Sequence, residues 1–331
     1  MRDVAALAGV SLKTVSRVVN NEAGVSPVVT AKVERAVLQL GYRHNLAASN
    51  LRRGDARTST VGALLQDVSN SFSSSLLRAL EDAAHQRDVA ILASSLDEEP
   101  SRERTLVESL LRRRVDGLLI MPATERQDYL VDEVRGGLPL VFVDRRPQGV
   151  DADSVTVDNI SGARQAAHHL VGQGHSRIAF LGDLTAIQTA AERLSGFESG
   201  LAERDMVLDP RLVVTEIRSD AEAMAALLEV LARPSPPTAV FAARNTVAIG
   251  AVRALRHSGL SSKVALVGFD DFPLADVLEP GLTVVRQDVR RIGEEVARLL
   301  FARIDGDVSP PHHIVITPEL VVRGSGEIRP Q

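Results

Sequence analysis

The 331-residue chain contains no cysteine, which excludes disulfide bridges, thiolate chemistry and cysteine-ligated zinc. No stretch approaches the ~18 consecutive apolar residues of a membrane helix. Met1 leads into a polar helical pattern rather than the charged-then-apolar start of a secretory signal. A cytoplasmic protein without membrane contact is therefore expected. The phosphate-cradling Walker loop, the Gly-x-Ser-x-Gly elbow and spaced zinc ligands are missing too. The run GQGHSR (172–177) follows a helical pattern rather than a strand and reads as a helix end. The neighbouring pairs His168-His169 and His312-His313 make poor chelates, and adjacent strand residues such as Asp270-Asp271 face opposite ways. The chain shows no catalytic constellation, so no enzymatic activity, cofactor or metal is expected.

What remains is the composition of a globular protein, 44% hydrophobic and 24% charged, in a chain long enough for two or three cores. Its net charge of −5 is unevenly spread. Residues 1–57 hold nine Lys or Arg against four Asp or Glu, a balance of +5 that leaves −10 on the rest. A basic head on an acidic body is the footprint of one small domain that touches phosphates.

In the head, Val4, Leu7 and Ala8 share one face of a short helix that Gly9 ends. Ser11 can cap a second helix with Val15, Val18 and Val19 inward. Ser26-Pro27 opens a third, with Val29, Val33, Val37 and Leu40 inward and Gly41 at its end. Two short helices about a glycine turn, braced by a third, make a helix-turn-helix. Leu12, Lys13, Ser16, Arg17 and Asn20 fall opposite the inward valines. Lys13 and Arg17 can donate to guanine O6 and N7, and Leu12 can meet a thymine methyl. Ser11, Thr14, Ser16, Tyr42 and Asn45 read as phosphate contacts that set register.

The segments DVAALAGVSLKTVSRVVNN and VSPVVTAKVERAVLQLGYRHNLAASNLRRG closely resemble the lac repressor family of bacterial regulators. The resemblance implies that the second helix enters the major groove of a palindromic operator. It also implies that residues 46–57 form a hinge that folds on DNA beside the hinge of a second copy. There Leu51 would wedge open a central base step, with Ala48 permitting the close approach. This chain departs from the family in beginning at the first helix, so that helix lacks a Ser or Thr cap.

From residue 58 the pattern alternates between apolar strands and helices, which indicates parallel, doubly wound α/β sheets. Ten strands are expected, at VGALLQD, VAILASS, GLLIMPA, LVFVD, SVTVD, RIAFLGD, LVVTE, AVFAA, VALVGFDD and LTVVRQD. They are too many for one compact sheet. This stretch resembles the family's effector domain and the periplasmic sugar-binding proteins. The implied architecture is an all-α helix-turn-helix head (1–45), the hinge (46–57) and a two-lobed effector-binding and dimerisation domain (58–331). Chain crossings near Val157, Val285 and Ile316 would give one lobe of about 58–156 and 286–315 and another of about 157–285 and 316–331.

Ligands of such folds bind at the carboxyl ends of strands. Phe72, Asp144, Arg193, Asp270 and Gln287 match positions that hold ligand in relatives. Where relatives place Asn-Asp after the strand AVFAA, this chain has Arg244-Asn245, and Arg218 stands at an often aromatic position. Two added guanidiniums would suit an anionic sugar derivative or another small acid. The other reading pairs Arg244 internally with Asp270 or Asp271. Taken together, the chain reads as a homodimeric, ligand-responsive, operator-binding regulator. Alternatives are a small-molecule binding protein without operator specificity and, less supported by the residues, a sugar-processing enzyme.

Overall fold

The computed structural model describes residues 1–19, 23–42 and 57–331. They form two compact units, Met1–Thr58 and Ser59–Gln331.

The first unit is built from α1 (Arg2–Ala8), α2 (Leu12–Val19) and α3 (Pro27–Gln39). Gly9 adopts φ 66°, and Val10 N–H and Gly9 N–H close back on the Ala5 and Ala6 carbonyls. That reversal requires a left-handed residue, which glycine supplies without a Cβ clash. Ser11 Oγ then accepts the Thr14 amide at 3.1 Å, satisfying one of the orphan donors of α2. Ser26 holds the cap position of α3 without a side-chain bond; instead the Thr30 hydroxyl donates to its carbonyl at 3.2 Å.

Val4, Ala5, Val15, Val33 and Ala36 form the buried centre, ringed by Val18, Val19, Val29 and Val37. The expectation that Leu7 and Leu40 point inward is corrected, since they are 48% and 45% exposed. Ala5 and Ala36 take the inward places. Helices seven to thirteen residues long approach closely enough for methyl groups to fill the seam.

In the second unit the order is β1 (Thr60–Leu65), α4 (Ser71–His85), β2 (Ala90–Ser95), α5 (Pro100–Arg112), β3 (Gly117–Ile120), α6 (Val131–Arg135), β4 (Leu140–Val143) and β5 (Asp153–Val157). Then come α7 (Asn159–Gly172), β6 (Ile178–Leu181), α8 (Gln188–Ala202), β7 (Val213–Val214), α9 (Asp220–Leu231), β8 (Ala239–Ala242), α10 (Asn245–His257), β9 (Ala265–Phe269) and β10 (Thr283–Arg286). The chain finishes with α11 (Val289–Ile304), β11 (His313–Ile316) and β12 (Glu319–Val321). Two six-stranded sheets result, ordered β11-β5-β4-β3-β1-β2 and β12-β10-β9-β8-β6-β7. All pairings are parallel except β10 with β12. The chain leaves the first sheet after β5, returns after β10 and leaves again after β11, so each sheet anchors one lobe.

Both sheets are covered on two faces, as parallel sheets require. In β4, Val141 and Val143 join one core while Leu140 and Phe142 join the other. In β8, Val240 and Ala242 face one side and Ala239 and Phe241 the other. Phe180, Phe197 and Phe241 cluster with centroids 4.8–5.8 Å apart, Phe197 stacked on Phe241 and Phe180 edge-on or tilted to both. Each of the ten expected strands overlaps an observed one. The sequence reading missed β11 and β12, which are only four and three residues long and half-exposed.

Helices α7 and α8 touch through backbone. A Cβ on Gly196 would overlap the Ile160 carbonyl and lie 2.7 Å from its Cα, and one on Gly200 would lie 2.9 Å from the Arg164 carbonyl oxygen. Gly196→Ala should therefore destabilise the domain by about 1–3 kcal/mol in urea unfolding. Gly172→Ala, in the same helix pair but facing open space, should be neutral or mildly stabilising.

Candidate functional site

On the head, α2 presents Leu12, 47% exposed, and an exposed Lys13. Ser11 and Thr14 hydroxyls lie 2.9 Å apart, so the capping bond and this contact fix both before any phosphate arrives. Arg17 is half-buried and its guanidinium donates to the Ala23 carbonyl at 2.8 Å, an orientation the sequence did not reveal. Ser16 is half-buried, and Tyr42 packs its ring against the small core. Asn20, Asn45, Ala48 and Leu51, and the hinge as far as Ala56, lie outside the described residues.

In the effector domain the two lobes repeat one device. Asp144 and Asp270 each follow directly on a strand, β4 and β9, with φ 69° and 71°. Aspartate tolerates this left-handed region better than most residues. Each amide donates to the neighbouring strand, Asp144 to Val155 and Asp270 to Val285, which turns both carboxylates out of the sheet edge. Burial pushes the Asp144 carboxyl up from the ordinary range, while Arg145 and Arg193 pull it back. Asp144 is thus within electrostatic reach of Arg193 and Asp270 of the opposite lobe.

Arg193, 6% exposed, sits at the centre of the arrangement. Its Nε donates to Asn159 at 2.8 Å, one Nη to the Ala243 carbonyl at 2.9 Å, and that same nitrogen lies 3.9 Å from Asp270. The guanidinium stacks 3.9 Å from the Phe269 ring centroid. Gln287 donates to Asp270, which leaves its own Oε1 buried and without a hydrogen-bond partner. Arg145 is held by both Glu98 oxygens and by the Pro122 carbonyl, and its Nε makes no hydrogen bond but lies 3.6 Å from the Asp144 carboxylate. Phe72, Asp270 and Gln287 line one cavity of about 680 Å³, within the size range of small-molecule sites.

Arg244 pairs with Asp183, both side chains being under 15% exposed. The expected internal pairing of Arg244 with Asp270 or Asp271 is thereby corrected. The pair is internal, but its acceptor is Asp183, because Arg323 takes Asp271 and Gln287 takes Asp270. Arg218 is exposed, and its backbone N–H donates to Glu222 at 2.8 Å. Asn245 and Asn70 exchange side-chain amide bonds at 3.1 Å, and Asn245 also donates to Ser71 Oγ at 3.1 Å. Since Asn70 caps α4 and Asn245 opens α10, this contact joins the two lobes.

Residues 1–45 match "Bacterial regulatory proteins, lacI family" and residues 167–326 match "Periplasmic binding protein-like domain". The HTH-type transcriptional regulator GalS of Salmonella typhimurium is 34% identical over 98% of this chain and 96% of its own. The chain belongs to the lacI family. The lac repressor dimer solved with operator and the anti-inducer ONPF superposes with TM-score 0.83 at 28% identity, covering 98% of each chain. The complex of the transcriptional regulator CelR with cellobiose gives 0.72 at 34%, again over 98% of both. This lacI-family chain is accordingly a DNA-binding transcriptional regulator with a periplasmic-binding-protein-like effector domain, and its relatives are regulators rather than enzymes. Among the described residues no helix is long and apolar enough to cross a membrane.

Sequence reasoning overlooked Asp183, Asn159, Gln188 and Glu192. Asp183 follows directly on a strand run (RIAFLGD), the same signal that singled out Asp144 and Asp270. Asn159 opens a helix, and the other two precede Arg193 by one residue and by five.

The Arg244–Asp183 pair yields a sharp expectation. Asp183→Leu strands a buried guanidinium and should cost about 3–5 kcal/mol in denaturant unfolding. Replacing both, Asp183→Leu with Arg244→Met, should recover most of that loss.

Proposed function

We propose that this regulator is a homodimeric repressor of a palindromic operator, and that its cleft takes a neutral sugar. The carrying observation is that the buried guanidiniums near the strand ends already have protein acceptors. Arg244 has Asp183, Arg145 has Glu98, and Arg193 has Asn159 and Ala243 with Asp270 beside it. With Asp144, Asp183, Asp270 and Glu192 among them, the region has no cationic surplus to attract an acid. Arg218, exposed on the surface, does not change that balance. With Arg244 taken by Asp183 and Arg218 on the surface, neither guanidinium favours an anionic effector. A polyhydroxyl compound suits this cavity, since a hydroxyl can donate to the unmatched Gln287 Oε1. Phe72 offers an apolar ring in the same cavity. The CelR complex with cellobiose supports a sugar in a fold of this kind.

On the DNA side, Arg17 and Lys13 read bases, with Leu12 and Asn20 beside them; Ser11, Thr14, Ser16, Tyr42 and Asn45 set register. Leu51 and Ala48 act at the centre of the operator. Effector binding shifts the lobe equilibrium, and operator affinity changes reciprocally.

Both halves can be checked with the full chain. A half-site selected from random duplexes and titrated by fluorescence anisotropy should lose about 1–3 kcal/mol with Arg17→Ala and discriminate less at one base pair. Uniform weakening on every sequence would reduce Arg17 to a phosphate contact. For the cleft, calorimetry should find cellobiose, D-ribose or D-galactose binding tighter than gluconate or ribose 5-phosphate. Tighter binding of the acids would overturn the neutral-sugar reading.

A further inference from the structure

A line of hydrogen bonds that the roles above leave unused joins Arg193 in the second lobe to backbone of the first. Arg193 Nε donates to Asn159 Oδ1 at 2.8 Å. The Asn159 amide, 1% exposed, donates to the Val157 carbonyl at 3.2 Å and to Glu192 at 2.9 Å. The other Glu192 oxygen accepts from Gln188 Nε2 at 2.8 Å. Gln188 Oε1 in turn accepts the backbone N–H of Arg146 at 3.1 Å. Arg146 lies three residues past β4 in the first lobe, whereas Asn159, Gln188, Glu192 and Arg193 lie on α7 and α8 of the second.

The sense of every link is set from one end. A guanidinium only donates, so Asn159 must turn its oxygen toward Arg193 and its amide hydrogens toward Glu192. A carboxylate only accepts, so Gln188 must present its NH2 to Glu192 and its oxygen to Arg146. Turning either amide over would set donor against donor and acceptor against acceptor, at greatest cost at Asn159, which is 1% exposed. The Asn159 bond to Val157 adds the last residue of β5, where the chain leaves the first sheet. A movement of Arg193 thus alters both a lobe-to-lobe bond and the crossing strand.

We infer that Asn159, Glu192 and Gln188 are positioning residues, through which the place of the Arg193 guanidinium governs the hold of the second lobe on the Arg146 backbone. This rests on the reading of Arg193 as an effector-contacting group. A ligand oxygen that draws the guanidinium off Asn159 removes one of the bonds that place this side chain, and the resulting shift passes by way of Glu192 and Gln188 to the first lobe. The line supplies a physical route by which a bound molecule acts on lobe orientation without touching the hinge.

Physical connection needs a coupling measurement as well as proximity. In the full chain without effector or DNA, hydrogen exchange at the Arg146 amide, resolved by mass spectrometry with fragmentation, reads the far end of the line. Gln188→Ala, Glu192→Gln and Asn159→Ala should each speed exchange at Arg146 by at least about fivefold. The Asp144 amide, bonded to Val155 within its own lobe, should not change. Gln188→Ala with Asn159→Ala should be no faster than Gln188→Ala alone, because the line is already cut. If Asn159→Ala loosens β5 as well, Glu192→Gln decides the matter, since it preserves shape. The proposal is overturned if Gln188→Ala leaves Arg146 unchanged. It is equally overturned if Gln188→Ala acts but neither Glu192→Gln nor Asn159→Ala does, which would make the contact local. No ligand enters the experiment, so a cleft that refuses neutral sugars would not alter its result.

Discussion

A guanidinium removed from water must be surrounded by acceptors whose positions are themselves fixed, or its burial is prohibitive. Arg193 imposes that condition on the open end of the second lobe. It requires the Ala243 carbonyl at the end of β8, the carboxylate after β9, the Phe269 ring beneath it and the Asn159 side chain beside it. Loops at strand ends are ordinarily the most variable part of such a fold. Here, three of them share one cation and so hold a common geometry. Asp270, kept in place this way, then orients Gln287 on the segment that leads back to the first lobe. The ligand-facing atoms are thus prepared before a ligand arrives, which lowers the ordering cost of binding.

The two lobes solve the same backbone problem with the same residue. Asp144 and Asp270 each take a left-handed turn immediately after a buried strand, with the amide secured to the adjacent strand. A residue in that conformation carries a modest energetic penalty, which persists only where the surroundings determine it fully. The surroundings here are a parallel sheet edge on one side and arginine on the other. The outcome is one buried carboxylate at a strand end of each lobe, with Arg145 beside Asp144 and Arg193 beside Asp270.

Much of this was legible in the sequence, for reasons that can be stated residue by residue. Strands buried on both faces appear as continuous apolar runs, and a charged residue closing such a run stands out, as Asp144 and Asp270 do. The glycine turns of the head were equally plain, because a left-handed helix end admits few other residues. Pairings between distant side chains were not legible. Nothing in the spacing of Arg244 and Asp183, sixty-one residues apart, marks them as partners. The assignment of Leu7 and Leu40 to the head's interior failed because periodicity reports which side of a helix faces inward, not how closely the helices approach. Alanine wins where the gap is narrow. The short strands β11 and β12 escaped notice because three or four residues are too few to show a period.

The outer strand β11 has a consequence for how the protein comes into being. It pairs with β5, about 160 residues earlier, and is tied there by Arg303, whose two nitrogens grip Asp153 at 2.7 and 3.0 Å. Until the ribosome has released the last few dozen residues, β5 is an unpaired edge and Asp153 a carboxylate without its cation. The first lobe therefore cannot close by itself during synthesis, although most of its residues emerge early. Contacts so distant in sequence also make for slow assembly. A chain that stops short of residue 316 would hold a complete reading head on an unfinished sensor, and an exposed apolar edge would mark it for removal.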